Sequence, residues 1–354
     1  MHFQLSHHLH ILRILKNTEL KEMFIALSIK AFAIGLMGIF IPLYLLKELA
    51  YTLDQVLMFY MVFSLTYILI APYVAQIANT IGLKHSILLS VPLYITFYLL
   101  LYNLKSSPEL FYLTPVMYGL AACTFWIAYH IDFTKFYDNK YVPEEVGTML
   151  GSLMIISLLG PLVGGILIGF MGFQGVFMIV TALLIVSTIP LFRTPDVHEP
   201  VDFAFKHIVR KQYFSDFLHF FSMGSRGVGF LFWGVYLFTF LQLYTSLGFV
   251  MTLAGFLSAL SAYFFSHFFK FFTKPVVFDA VITLYALTWF ARSFFSGLLG
   301  LVSMTLSSQF LFPMVDIPLI STTYKKARKG KKIAEYTVFR EISINTDRRM
   351  ILLQ

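Results

Sequence analysis

Val146-Gly-Thr-Met-Leu-Gly-Ser-Leu-Met-Ile-Ile-Ser-Leu-Leu-Gly-Pro-Leu-Val-Gly-Gly-Ile-Leu-Ile-Gly-Phe170 runs for 25 residues without one charged side chain. As a helix it measures about 37 Å at 1.5 Å per residue, more than the roughly 30 Å of hydrocarbon in a bilayer. Lipid offers backbone N–H and C=O groups no partner, so a lone apolar segment of this length crosses as a helix. The segment is a membrane span.

The same ruler, moved outward in both directions, divides the chain into ten spans. They are Phe24 to Leu46, Gln55 to Ile77, Ser86 to Tyr102, Leu110 to Ile131, Val146 to Phe170, Val176 to Phe192, Phe217 to Leu241, Leu247 to Phe269, Val276 to Ser296 and Leu299 to Ser321. With 58% hydrophobic and 12% charged residues and a mean hydropathy of +0.78, the chain has too little polar surface for a water-soluble domain. The fold class is therefore an all-α membrane protein whose partner is the lipid bilayer. The net charge of +8 comes mainly from connectors beside apolar runs, a pattern that orients spans and speaks against a nucleic-acid partner. The single Cys123 excludes an internal disulfide and a cysteine metal site. His7, His8 and His10 have no accompanying acid, so neither a metal nor a cofactor is expected.

Placing the N-terminus in the cytoplasm puts 21 of the 26 Lys and Arg in the tails and inner connectors, Lys47 and Lys105 outside, and Lys30, Arg226 and Arg292 in spans. Cationic loops resist translocation, so this bias fixes the orientation. The charged stretch 193–216 separates six spans from four and reads as a cytoplasmic interdomain linker. A shift of 192 residues lays Gly35 on Gly227, Phe40 on Phe232, Tyr44 on Tyr236 and Leu45 on Leu237. It also brings the inner connectors into register, as expected of two parallel repeats. The division expected is a cytoplasmic segment 1–23, a six-helix bundle 24–192, the linker 193–216 and a partial second bundle 217–354.

Two motifs carry a resemblance. Ala75-Gln76-Ile77-Ala78-Asn79-Thr80-Ile81-Gly82-Leu83-Lys84 resembles the Gly-x-x-x-Asp-Arg-x-Gly-Arg-Lys loop of the major facilitator superfamily, keeping Gly82 and Lys84, with Asn79 in the place of the Asp. Gly160-Pro161-Leu162-Val163-Gly164-Gly165, preceded by Gly147, is similar to the same superfamily's antiporter motif. Span four departs from the family, since Pro115-Val116-Met117-Tyr118-Gly119 keeps only the glycine of Arg-x-x-Gln-Gly. The resemblance implies a major facilitator fold of about ten transmembrane helices, six in an intact bundle and four in an incomplete one. After the basic loop the chain reads as the start of an eleventh helix. The implied function is secondary active transport of a small solute by alternating access, with protons as a possible second partner and efflux as the direction. The short loops suit a prokaryotic cell membrane, and a monomer is expected. A truncated, transport-incompetent membrane protein, a scaffold or sensor keeping the fold, and an intramembrane enzyme using His130 and Asp132 are the other readings.

Asn79, Gly82, Lys84, Gly147, Gly160, Pro161, Gly164 and Gly165 form the expected gating set. Pro161 interrupts the helical ladder and the glycines admit a close neighbour. A tight turn and an ordinary kinked helix explain the same residues. An intramembrane charge costs at least about 2.5–3.5 kcal/mol and so faces a cavity or a partner. That makes Lys30 and Arg226 candidates for the solute path, with Tyr44, Trp233, Tyr236 and Gln309. Arg292, near a span end, is expected to snorkel. His130 beside Asp132 suits a proton-linked pair; an interfacial anchor with Trp126 and Tyr129 is the alternative.

Overall fold

The computed structural model describes residues 18–136, 157–192, 203–208, 213–267, 275–295, 297–329 and 332–352. Ten long helices account for most of them. They are α1 (Thr18–Met37), α2 (Leu53–Ile81), α3 (Leu83–Asn103), α4 (Leu113–Phe136), α5 (Gly160–Thr188), α6 (Phe214–Leu241), α7 (Tyr244–His267), α8 (Pro275–Ala291), α9 (Leu298–Lys329) and α10 (Ile333–Ile351). A short helix Ile41–Leu43 and a π-turn Tyr44–Glu48 prolong α1. Thr52 starts α2 through a reciprocal capping box with Gln55, which satisfies two of the end N–H groups.

Among the described residues, eight helical stretches are long and apolar enough to cross a membrane. Large apolar side chains cover their outside, among them Phe170 at 85% and Leu299 at 87% exposure, a surface only lipid can solvate. α5 is two helices joined at Gly172, whose φ of 71° and ψ of 176° lie outside the helical region. Gly82 joins α2 to α3 with nearly the same angles, φ 92° and ψ 156°. This is backbone space essentially confined to glycine, and it lets one residue turn the chain between two helices. Beyond Gly172 the chain runs back along α1, because Phe173 and Phe177 pack on Tyr44 while the turn Ile189–Phe192 reaches α1 itself. The two limbs of α5 thus match the expected spans ending at Phe170 and starting at Val176; residues 146–156, with Gly147, lie outside the described residues.

Helix partners repeat between the halves. α1 packs on the first limb of α5 as α6 packs on α10; α2 and α3 pack on α4 as α7 and α8 pack on α9. Two seams join the N-terminal helices to the C-terminal ones, α5 against α7 and α2 against α10. α10 is the helix anticipated after the basic loop, and its environment was not. It carries Glu335, Arg340, Glu341, Asn345 and Asp347, all buried. Arg340, grouped by sequence with the cytoplasmic cations, instead lies inside the bundle, because α10 is inserted between α2, α4 and α6.

Candidate functional site

The polar residues of α10 meet partners from both halves. Glu341 Oε2 accepts a hydrogen bond from Tyr67 Oη of α2 at 2.8 Å. Its Oε1 lies 3.7 Å from His130 Nε2 of α4 and 2.5 Å from Arg340 Nη1. His130 Nδ1 is 2.8 Å from Tyr324 Oη of α9, and the indole of Trp126 stacks on the imidazole, ring centres 5.4 Å apart. A carboxylate, an imidazole and two phenols thus form one buried chain across the α2/α10 seam. Burial strengthens such contacts and penalises any member left alone.

Further along α10, Asp347 Oδ2 accepts from Ser225 Oγ at 2.6 Å. Gly224 permits this approach, since a Cβ there would stand 2.2 Å from Ile344 O. Next to Ser225, Arg226 pairs with Asp316 of α9 at 3.1 Å, both largely buried. At the Gly82 end of the bundle, Asp216 binds Lys326 at 2.5 Å and Tyr336 Oη at 2.9 Å. These three, with His219, Thr323 and others, line a cleft of about 120 Å³. The carboxylates Asp216, Glu341 and Asp347 therefore stand at successive depths, about 7 and then 9 Å apart at 1.5 Å per residue of α10.

Of the expected solute-path residues, Arg226 belongs to this polar interior and Lys30 stands apart. The Lys30 ammonium donates to Ser90 Oγ at 2.6 Å and lies 3.7 and 4.8 Å from the ring centres of Phe125 and Tyr94, a cation–π cage within α1, α3 and α4. Tyr44 is buried, donates to Leu101 O at 3.0 Å and packs on Phe173 and Phe177. Trp233 donates to Thr305 Oγ1 at 2.8 Å, Tyr236 is 45% exposed, and Gln309 is partly buried on α9. His130 sits in the network with Glu341 as its acidic neighbour, and Asp132 lies partly buried near the end of α4. Arg292 does not reach out of its span: it is 6% exposed and held between two tryptophans.

Of the gating set, Pro161 and Gly165 lie at the other seam, α5 against α7. A Cβ on Gly160 or Gly164 would strike the α1 backbone at Gly35 or Leu36, and one on Gly165 would strike Tyr244 of α7. Pro161 sits in the first turn of α5, where its missing N–H costs nothing, so it starts this limb and does not kink its middle. The broken rung before it is filled by Thr252 of α7, whose Oγ1 donates to Leu158 O at 2.9 Å and accepts from Leu162 N at 3.2 Å. Gly82 caps α2, with Asn79 and Lys84 partly buried beside it. Among the described residues no cluster of His, Cys, Asp or Glu could hold a metal ion.

Sequence reasoning passed over Glu341, Tyr67, Tyr324 and Thr252. The signal for the first was a polar stripe at helical spacing, Thr337, Glu341, Asn345 and Arg348.

The family model of the Major Facilitator Superfamily matches residues 23–340. The chain belongs to the Major Facilitator Superfamily. Superfamily members of known structure share its fold at low identity. A bacterial homologue of the iron transporter ferroportin, in an outward-facing state, aligns with a TM-score of 0.65 and 14% identity over 95% of this chain and 91% of that one. The human organic anion transporter TETRAN gives 0.67 and 13% over 95% and 92%. The E. coli fucose:proton symporter gives 0.62 and 12% over 94% and 89%. No curated protein sequence matches. Superfamily membership makes this a multi-pass membrane transport protein and not an enzyme.

Proposed function

We propose that the protein is a secondary transporter that moves a small solute by alternating access and couples it to protons. The observation that carries this reading is the Tyr67–Glu341–His130–Tyr324 chain across the α2/α10 seam. In it, a proton exchanged between a carboxylate and an imidazole changes the charge that holds the two halves together. On this reading 24–192 and 217–354 rock as two bodies, and 193–216 links them. The Gly82 end faces the cytoplasm, following the charge bias, and the glycine motif of α5 favours export against inward protons. Arg226 and Asp316 lie near enough to the seam to contact a polar solute, with Trp233, Tyr236 and Gln309 towards the outside.

The test is flux. Protein reconstituted into proteoliposomes with pyranine inside is challenged with a panel of organic anions, sugars and cations under an imposed pH gradient. Solute-driven proton movement is expected in the wild type and is expected to vanish in Glu341→Gln and His130→Gln. Solute flux that persists in both variants with unchanged pH dependence would remove the network from coupling. No flux for any solute would remove transport itself.

A further inference from the structure

Arg292 follows directly on α8, at the end of the bundle assigned above to the outside. Its guanidinium lies between the rings of Trp233 and Trp289, 4.1 and 3.8 Å from their centres, and the residue is 6% exposed. Nη2 donates to Ser308 Oγ at 2.6 Å. Ser308 donates in turn to Thr305 O at 3.0 Å, and Thr305 Oγ1 accepts the indole N–H of Trp233. Thr305 and Ser308, one turn apart on α9, therefore fix both the guanidinium and one wall of its slot.

Two donors of that guanidinium remain open. Nε and Nη1 are buried and have no hydrogen-bond partner, and no carboxylate pairs with Arg292 among the described residues. The ring faces offset part of the charge from above and below, but an aromatic face cannot accept N–H groups that point outward in the guanidinium plane. Buried polar groups of native proteins are nearly always satisfied, so an acceptor in that plane is missing. Arg226 and Arg340 also keep one open donor each, yet each already has its carboxylate. Lys30 is enclosed by Ser90 and two rings. Arg292 alone of these four combines an unmatched charge with unmatched donors. The slot borders the surface: Tyr236, ring centre 5.4 Å from that of Trp233, is exposed, as are Ser293 and Phe294 next to Arg292.

We propose that Arg292 anchors an oxyanion-binding site, distinct from the Glu341 network, that takes the carboxylate or phosphate of a soluble ligand or of a lipid headgroup. Charge-assisted bonds to oxyanions are what an aromatic-clamped guanidinium offers.

The chain has three tryptophans, and two of them are the walls of this slot. In a Trp126→Phe background all tryptophan emission therefore comes from the site. Purified protein in uncharged detergent is titrated with sodium benzoate against sodium chloride of equal ionic strength. A second sample is titrated with phosphatidylglycerol against phosphatidylcholine in mixed micelles. A saturable change in either arm, weakened at least tenfold by Arg292→Gln, supports the site and identifies its source as free anion or headgroup. No saturable change in either arm, or the same curve in Arg292→Gln, would overturn it. If Arg292→Gln does not fold, Ser308→Ala decides, since it keeps the guanidinium and removes its anchor: a weaker curve supports the site and an unchanged one overturns it. His130→Gln should bind as the wild type does, so this result stands or falls separately from proton coupling.

Discussion

Replacing Gly248 with alanine tests how closely the two halves meet at α5 and α7. A Cβ at 248 would lie 2.2 Å from Pro161 O, 2.8 Å from Pro161 C and 3.0 Å from Leu162 Cα. All three are backbone atoms, so no rotamer change relieves the contact. A carbon needs about 3.3 Å from an oxygen, and the helices must part by about 1 Å. One turn along, Thr252 then loses its bonds to Leu158 and Leu162, now 2.9 and 3.2 Å long, because about 4 Å is beyond hydrogen bonding. Overpacking costs about 1–3 kcal/mol and each interhelical hydrogen bond in a membrane about 0.6 kcal/mol. The expected loss is about 2–4 kcal/mol. Gly169, in the same limb of α5, has nothing within 4 Å of its Cβ position, so Gly169→Ala should be neutral or gain up to about 1 kcal/mol of helix propensity. Thermal unfolding in detergent, followed by circular dichroism, compares the two. Thr252→Val should cost about 1 kcal/mol alone and nothing further on top of Gly248→Ala. Equal stability of the two alanine variants would refute the close approach, and a fully additive Thr252→Val would refute the coupling.

Gly172→Ala should destabilise by about 1–3 kcal/mol, since φ 71° with ψ 176° is a glycine conformation; the same unfolding assay reads it, and an unchanged midpoint would mean the turn is made otherwise. Asp316→Asn leaves Arg226, only 17% exposed, without its counter-ion and should cost about 3–5 kcal/mol, most of it recovered by adding Arg226→Gln. No recovery would show that the two residues act independently. Orientation can be read in a Cys123→Ala background, because the native thiol is buried. A membrane-impermeant maleimide should label Lys105→Cys in sealed cells and Lys206→Cys only after lysis. The reverse pattern would invert the topology.

The spans were legible because lipid imposes length and apolarity together: the ends inferred for α2 and α6 fall close to the observed ones, as does the start of α9, which runs on from Ser321 to Lys329. What escaped depends on which residues meet across long separations. Asp316 showed no base nearby in sequence, and its partner Arg226 is 90 positions away. Glu341 sits in the stretch that reads as the start of an eleventh helix, and only the insertion of α10 between α2, α4 and α6 makes it interior. Arg292 was expected to reach for water. Two indoles supply a cheaper environment, and no spacing rule brings Trp233 and Trp289 to the same guanidinium. Pro161 was legible as a break, but whether it bends a helix or begins one depends on Leu158 and Leu159, where the preceding turn ends.

The two seams differ in kind, and the difference bears on how the protein moves. At α5/α7 glycine and backbone meet, with Thr252 and Thr245 of α7 as the polar bridges; small residues lose little when such surfaces tilt, so the seam can pivot. At α2/α10 the Glu341 carboxylate, paired with Arg340 of its own helix, also binds groups from α2 and α4, and separating them in a dry interior leaves buried polar groups without those partners. On the proposed transport cycle that seam opens more easily when water enters or Glu341 is neutralised. Protonation of Glu341 weakens what joins it to His130 while keeping an oxygen for Tyr67 to bond. On that proposal a proton loosens the polar seam without disturbing the glycine one, with the coupling step on α10 and α5 guiding the motion.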